Sequence, residues 1–186
     1  MHKIVKSVLV ISALILLAGC SKKEVKQSSA DIKSSAQNIA VFIPGIMEGS
    51  PTYAKLAQGV KAAVDEYNQS KADEEKITVS VFEAGNNQSE WGAKIVQLAV
   101  TQKYDVIISS NPSLPEICGF VTDSFPKQKF ILLDAECTGN DHIAALSYNQ
   151  KEEAYLTGYI AGLMSKTHKL GLIAAQEYPI MNNILL

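Results

Sequence analysis

Arginine is absent from this sequence, so all 17 of its basic residues are lysine. A lysine side chain lacks the planar guanidinium fork that grips a carboxylate or a phosphate through two parallel hydrogen bonds. This absence disfavours amino acids and sugar phosphates as ligands. The 19 acidic residues give a net charge of −2, and a chain without excess positive charge attracts nucleic-acid phosphates poorly. We therefore expect no nucleic-acid partner.

Recognisable catalytic and metal-binding motifs are absent as well. The sequence contains no nucleophile elbow, P-loop, dinucleotide fingerprint or His-Glu-x-x-His helix. The three histidines, His2, His142 and His168, are too widely spaced to form a pair of metal ligands. The sequence therefore predicts a protein that is not an enzyme and has no catalytic residues, cofactor or metal.

The N-terminus has the pattern of a bacterial lipoprotein signal. Lys3 and Lys6 precede an apolar run over 8–17, which is shorter than the roughly 20 residues that a membrane-spanning helix needs. Leu17-Ala18-Gly19-Cys20 follows and resembles a lipobox. We therefore expect a signal peptide over 1–19 and lipid attachment at Cys20, which would hold the protein at the cell membrane, facing the periplasm or the cell exterior.

The segment that follows is polar. Residues 20–38 are rich in Lys, Ser and Gln and contain only isolated apolar side chains. Such a composition buries too little apolar surface to offset the entropy of ordering, so this segment is predicted to be a flexible tether. Without residues 1–19 the basic residues fall to 15 against 19 acidic ones, a net charge of −4.

Short apolar runs alternate with segments of helical periodicity from residue 39 onward. Runs such as Val106-Ile107-Ile108 are nearly continuous, which is typical of parallel strands that are buried on both faces. Proline after Ser50 marks the start of the first helix. The fold class is therefore predicted to be α/β with a Rossmann-like parallel sheet. The predicted strands are 39–43, 77–82, 105–109, 129–133, 143–147 and 169–174, and the predicted helices begin near residues 51, 89, 115 and 152.

Ligands of open parallel sheets bind outside the carboxyl ends of the strands. Six residues in the loops there are candidates for ligand contact: Ser50, Tyr53, Trp91, Ser110, Asn111 and Asp134. The aromatic rings could instead pack in the core. The asparagines of these loops, which include Asn86 and Asn149, could instead stabilise turns.

Cys118 and Cys137 are predicted to lie at the same edge of the sheet. A disulfide between them is conceivable in an oxidising compartment. Two separate buried thiols are the alternative, because free cysteine packs as a small hydrophobe.

Several stretches of the chain resemble the basic membrane protein family of lipoproteins, also called the purine nucleoside receptor (PnrA-like) type of ABC transporter binding protein. The resemblance covers nearly all of residues 39–183. It is carried by Gly-Ser-Pro-Thr-Tyr at 49–53 with Gly59, by 104–108 with Ser-Asn-Pro at 110–112, by 130–134, and above all by 148–162 with 165–167 and 169–171.

This resemblance implies a type I periplasmic-binding-protein fold, in which two lobes close on a nucleoside and deliver it to an ABC transporter permease. Family members hold the base between aromatic rings, and Tyr53 could supply one of them. Better-known members place Asp, Phe and Asn in the loop after the first strand, where this chain reads Gly-Ile-Met-Glu-Gly-Ser-Pro-Thr-Tyr at 45–53. The Asp and Lys that hold the ribose lie in the second lobe and have no counterpart here.

The predicted domain organisation follows from this resemblance. Residues 39–148 would form the N-terminal ligand-binding lobe, and 149–186 the start of an incomplete second lobe. We therefore expect the chain alone to bind ligand poorly.

Two other functions stay open at this point. A secreted nucleoside-processing enzyme would need a carboxylate cluster, whereas Glu48, Glu83 and Asp134 occur one to a loop. A surface lipoprotein that acts as an adhesin or antigen would need no closed cleft.

The lipobox generates the first prediction. Mass spectrometry of the N-terminal peptide from membrane fractions should show an acylated Cys20, because a cysteine after small residues is where such signals are processed. A Cys20→Ser variant should be unprocessed and lose this modification. Identical processing and membrane retention of that variant would contradict the prediction.

Overall fold

The computed structural model describes residues 37–173 and Met181. The signal peptide, Cys20, most of the tether and the end of the chain lie outside these residues. In chain order the strands and helices are β1 Asn38–Ile43, α1 Pro51–Asn68, β2 Thr78–Glu83, α2 Trp91–Val100, β3 Val106–Ser110, α3 Leu114–Ser124, β4 Lys129–Leu133, β5 Ile143–Leu146 and α4 Gln150–Met164.

The five strands form one parallel sheet in the order β2-β1-β3-β4-β5. The sequence runs outward from β1 to β2 on one side and from β3 through β4 to β5 on the other. Strand order therefore reverses between β1 and β3, which are neighbours. The predicted α/β fold class and parallel sheet are confirmed, and the arrangement is that of one lobe of a periplasmic-binding-protein fold.

Local sequence explains where the first helix begins and ends. Ser50 caps α1 by accepting a hydrogen bond from the backbone N–H of Tyr53 at 3.5 Å, and Pro51 occupies the first helical position. At the other end the Asn68 side chain donates to the carbonyl of Ile77 and accepts from its N–H, both at 2.9 Å. These two bonds tie the end of α1 to the start of β2.

The sheet separates two apolar clusters of different size. Phe42, Ile107, Phe130 and Leu132 point to the face that α2 and α3 cover, where they join the larger cluster. The opposite face has a smaller cluster in which Val41 and Ile43 pack against α1, through buried residues such as Ala57. One face thus carries two helices and the other carries one.

The structure corrects the predicted elements in two places. The predicted strand at 169–174 is not formed over 169–173, the part of it that the structure describes, because none of the strands among the described residues lies beside it for pairing. The predicted helix from residue 89 begins instead with the 3-10 turn Gln88–Glu90 and continues as α2. The other elements agree with the prediction to within about two residues.

The two cysteines of the described part of the chain, Cys118 in α3 and Cys137 between β4 and β5, are free thiols. Cys118 is buried in the larger cluster, and Cys137 is half-buried and packs against that cluster. Burial raises the pKa of the Cys118 thiol to about 12, and the nearby Cys137 adds to the shift. At pH 7 the Cys118 thiol is therefore protonated.

Alkylation should distinguish the two thiols. In a Cys20→Ser background at pH 8 we expect iodoacetamide to modify Cys137 and to spare Cys118, because the thiolate is the reactive form and Cys118 is both buried and un-ionised. In denaturant both should react, as peptide mass spectrometry would record. If neither reacted in denaturant until a reductant was added, the disulfide alternative would hold instead.

Candidate functional site at the carboxyl edge of the sheet

The loops after β1 and β3 diverge at the reversal of strand order, which is where open parallel sheets bind ligands. The helices that follow these two strands lie on opposite faces of the sheet. The carboxyl edge is therefore open at this point, and four of the six candidate residues come from the loops or first helical turns here.

The loop after β1 is joined to the loop after β2 by hydrogen bonds. The carbonyls of Ile43 and Gly45 accept from the backbone N–H groups of Ala84 and Gly85, at 2.8 and 2.9 Å. The Glu83 carboxylate accepts from the N–H of Met47 at 2.8 Å. These bonds fix the position of the loop after β1 against the end of β2.

Tyr53 lies over Gly45. A Cβ atom added to Gly45 would lie 2.8 Å from Cε2 of the Tyr53 ring and 3.5 Å from Oδ1 of Asn86. The ring is half-buried and also packs against the smaller cluster. Tyr53 was a candidate both for ligand contact and for core packing. One side of its ring packs on the core, and the rest of its surface lies at the carboxyl edge.

The side chain of Trp91 packs in the core. It is 7% exposed, belongs to the larger cluster and donates from Nε1 to the carbonyl of Gly85 at 2.8 Å. One turn later, Lys94 donates to the carbonyl of Ala84 and to the carboxylate of Glu90, both at 2.7 Å. Lys94, followed by Asn87, lowers the pKa of Glu90. In this conformation the indole ring of Trp91 supports the loop and is not free to stack on a ligand.

Ser109 ties the end of β3 to β1, because its buried hydroxyl donates to the carbonyl of Phe42 at 2.6 Å. This bond positions the loop that follows β3. Ser110 and Asn111 follow, and both are half-buried. The Asn111 Oδ1 accepts from the N–H and the hydroxyl of Ser113, at 2.9 and 2.7 Å. The turn thus occupies the amide oxygen of Asn111, and its NH₂ group is the part that can donate to a ligand.

Asp134 follows β4 and has a left-handed backbone, with φ of 53°. Its carboxylate accepts from Nε2 of Gln150, the first residue of α4, at 2.7 Å. The other side-chain atom of that amide, Oε1, is buried without a hydrogen-bond partner among the described residues. Asn149 caps the same helix by accepting from the N–H of Glu152 at 3.4 Å, so its role here is turn chemistry.

A cavity of about 700 Å³ opens next to this pair of side chains. Its volume lies in the usual range for small-molecule sites. The cavity is lined by Asp134, Gln150 and Glu153, by small residues of α4, by Leu170, Gly171 and Leu172, and by Met181.

The structure therefore brings Ser50, Tyr53, Ser110 and Asn111 to the two loops at the reversal, places Asp134 one strand further along, and puts Trp91 in the core. Sequence reasoning named Glu83 only as an isolated acid and missed two supporting residues, Lys94 and Gln150. Glu83 and Gln150 act through contacts 36 and 16 residues away, which no local pattern announces, whereas the Glu90–Lys94 pair has the i,i+4 spacing of a helical ion pair and could have been found from the sequence. No cluster of three or more potential metal ligands occurs among residues 37–173 and Met181.

A family model described as ABC transporter substrate-binding protein PnrA-like matches residues 36–186. The CD4+ T-cell-stimulating antigen of Listeria innocua serovar 6a is 20% identical over 174 residues, which are 94% of this chain and 48% of that protein. The ABC transporter nucleoside-binding protein BmpA of Lactococcus lactis subsp. cremoris is 20% identical over 175 residues, with the same coverage of both chains. The chain thus spans about half the length of the curated relatives it matches.

A solved structure shares the fold. The ABC transporter system solute-binding protein from Aeropyrum pernix K1 superimposes with a TM-score of 0.56 at 20% identity, over 68% of this chain and 32% of that one. Within the described part of the present chain, no helix is both long and apolar enough to span a membrane.

The packing of Tyr53 on Gly45 generates a prediction about stability. Gly45→Ala should lower the free energy of unfolding by about 1–3 kcal/mol, because the new methyl group displaces the ring and because the φ of 158° at Gly45 is one that a residue with a Cβ rarely adopts. In a Tyr53→Leu background the loss should be smaller, since the crowding atom is gone. Urea unfolding of the wild type, Gly45→Ala, Tyr53→Leu and the double variant measures how far the effect of the alanine depends on the tyrosine ring.

The matched control is Gly59→Ala in α1, where an added Cβ meets nothing within 4 Å. This change should raise stability by up to about 1 kcal/mol through helix propensity. An equal loss for Gly45→Ala in both backgrounds would show that Tyr53 is not the neighbour that matters.

Proposed function

Because the chain belongs to the PnrA-like family of ABC transporter substrate-binding proteins, we propose that its sheet carries one wall of the ligand cleft of an extracytoplasmic, lipid-anchored solute-binding protein. Its ligand would be a purine nucleoside or a similar neutral small molecule, and its partner an ABC transporter permease. The observation that supports this most directly is the open carboxyl edge between β1 and β3, where Tyr53 and Asn111 flank the reversal of strand order.

The side chains of this edge suit a nucleoside. An aromatic ring such as that of Tyr53 can stack on a base, an interaction of roughly 1–3 kcal/mol. The NH₂ group of Asn111 can donate to a ring nitrogen or a hydroxyl oxygen of the ligand. The Glu83 carboxylate at the end of β2 accepts from the N–H of Met47, so this oxygen is engaged with the first loop.

The same edge does not suit a phosphate. The chain has no arginine, and Lys94, the lysine nearest the β2 loop, is already bound to Ala84 and Glu90. A nucleotide would therefore bring its negative charge to an edge that carries the carboxylates of Glu83 and Asp134. We propose that neutral nucleosides are preferred to nucleotides, in line with the name of the Lactococcus lactis relative.

Titration of the ¹⁵N-labelled chain with adenosine, guanosine and their 5′-monophosphates tests this proposal by NMR. We expect weak binding, since one wall excludes water from only one side of the ligand. Amide shifts should concentrate at Gly45, Met47, Tyr53 and Asn111 and should be larger for the nucleosides. Tyr53→Leu should weaken the response, and Tyr67→Leu, at the far end of the same helix, should not.

Three results would contradict the proposal. The first is a larger response to a monophosphate than to its parent nucleoside. The second is a set of shifts confined to the opposite edge, around Gln102 and Lys127, where a separate cavity of about 350 Å³ lies. The third is turnover of the nucleoside, which would favour the enzyme alternative.

A further inference from the structure

Two residues directly after β2, Ala84 and Gly85, hold the loop that follows β1. The N–H of Ala84 donates to the carbonyl of Ile43 at 2.8 Å. The N–H of Gly85 donates to the carbonyl of Gly45 at 2.9 Å. The ring of Tyr53 lies over Gly45, 2.8 Å from the point that a Cβ atom would occupy there. The backbone at 84–85 therefore sets the position of the loop on which Tyr53 rests.

The carbonyl groups of the same two residues are bound by side chains of α2. Nζ of Lys94 donates to the carbonyl of Ala84 at 2.7 Å. Nε1 of Trp91 donates to the carbonyl of Gly85 at 2.8 Å. Residues three apart on a helix are neighbours on its surface, so α2 presents both donors to this loop together.

One peptide group connects α2 to the first loop. The carbonyl of Ala84 and the N–H of Gly85 belong to the same peptide group, so Lys94 binds one end of it. The other end binds the carbonyl of Gly45. A charged donor at a carbonyl polarises the peptide group and strengthens the hydrogen bond that its N–H makes. The ammonium group of Lys94 therefore acts on Gly45 through a single peptide group.

The backbone of Gly85 has the conformation that these bonds require. In a strand, the N–H and the carbonyl of one residue point to the same side. At Gly85 they have partners on different sides, Gly45 in the first loop and Trp91 in α2. The φ of 73° at Gly85 lies in the left-handed region, which glycine adopts without a steric penalty. This glycine thus allows one residue to bind both the loop and the helix.

The ammonium group of Lys94 is itself held in place by Glu90. Nζ of Lys94 donates to Oε2 of Glu90 at 2.7 Å. The other carboxylate oxygen of Glu90, Oε1, accepts from Nδ2 of Asn87 at 2.8 Å. An ammonium group has three donors, and two of those of Lys94 are thus directed to fixed partners, Glu90 and the carbonyl of Ala84.

We propose that Lys94 and Trp91 are positioning residues of the ligand wall. They hold Gly45 and the ring of Tyr53 in the geometry that stacks on a ligand, and they do not contact the ligand themselves. Lys94 acts through the peptide group between Ala84 and Gly85, and Trp91 acts through the carbonyl of Gly85. This inference rests on the proposed function, because it takes the ligand to bind beside Tyr53.

Hydrogen exchange of the Gly85 amide, followed by NMR of the ¹⁵N-labelled chain, tests the positioning role without a ligand. Lys94→Met nearly keeps the length of the side chain and removes its donor. We expect the Gly85 amide to exchange about tenfold faster in this variant, because the hydrogen bond from a charged group to its peptide is lost. Exchange of the β3 amides, in the middle of the sheet, should not change. Lys94→Arg keeps a cationic donor and should restore slow exchange at Gly85.

Trp91→Phe tests the second positioning residue in the same way. The variant keeps an aromatic ring in the core and lacks the indole N–H that binds the carbonyl of Gly85. Exchange at Gly85 should therefore become faster than in the wild type by a larger factor than exchange of the β3 amides, which reports any general loss of stability.

Titration with adenosine tests whether this geometry matters for binding. Lys94→Met should raise the adenosine Kd about three- to tenfold, and Lys94→Arg should raise it less. In a Tyr53→Leu background Lys94→Met should have a smaller effect, because a residue that acts through the tyrosine ring loses its influence when the ring is gone. A residue that contacted the ligand directly would have the same effect in both backgrounds.

Matched controls lie at the opposite end of α2. Lys103→Met removes the same charge from an exposed position. Thr101→Val removes the same kind of bond, since the Thr101 hydroxyl donates to the carbonyl of Leu98 at 2.7 Å. Both variants should leave the exchange of Gly85 and the adenosine Kd unchanged.

Three outcomes would overturn the proposal. They are unchanged exchange at Gly85 in Lys94→Met, failure of Lys94→Arg to restore it, and an equal loss of adenosine affinity with and without the Tyr53 ring. A wild-type chain that does not respond to adenosine would instead contradict the proposed function. The exchange of Gly85 would then still decide whether Lys94 and Trp91 hold the loop.

Discussion

Strand β1 is the constraint on which the rest of this lobe depends. It pairs with a neighbour on each side, and its side chains supply both apolar clusters, Phe42 on one face and Val41 on the other. Its carboxyl end also organises the site, because the carbonyls of Phe42, Ile43 and Gly45 accept bonds from Ser109, Ala84 and Gly85. Core packing and site geometry are therefore set by the same six residues and the turn after them.

Much of the fold could be predicted because its signals are local. Apolar runs such as 106–108 and 130–133 indicated buried parallel strands, and Ser50 with Pro51 indicated where α1 begins. The strand predicted at 169–174 was wrong over its described part for a physical reason. Its composition is that of a strand, but a strand also needs a neighbour, and whether one exists is not written in the segment itself.

The site was less predictable because each candidate residue has two possible roles. Position in a loop at the carboxyl edge makes Tyr53 and Asn111 candidates, but how each side chain divides between core packing, turn formation and free surface depends on distant contacts. Trp91 illustrates the limit: its place at the start of a helix suggested ligand contact, whereas the carbonyl of Gly85 and the core cluster engage it. The residues that sequence reasoning missed, such as Gln150, are recognisable only by their partners.

Asp134 links the carboxyl edge of the sheet to the start of α4. Its carboxylate lies at the edge where ligands of such sheets bind, and the same carboxylate holds Gln150 at the start of α4. An isolated helix of 15 residues is marginal in water, and large apolar side chains of α4 such as Tyr155 and Leu163 are exposed in the described part of the chain. The described contacts that hold its first turn are the Asn149 cap and the bond to Asp134. A group that competed for the Asp134 carboxylate would therefore loosen the start of α4, because the same oxygen cannot serve both partners equally well.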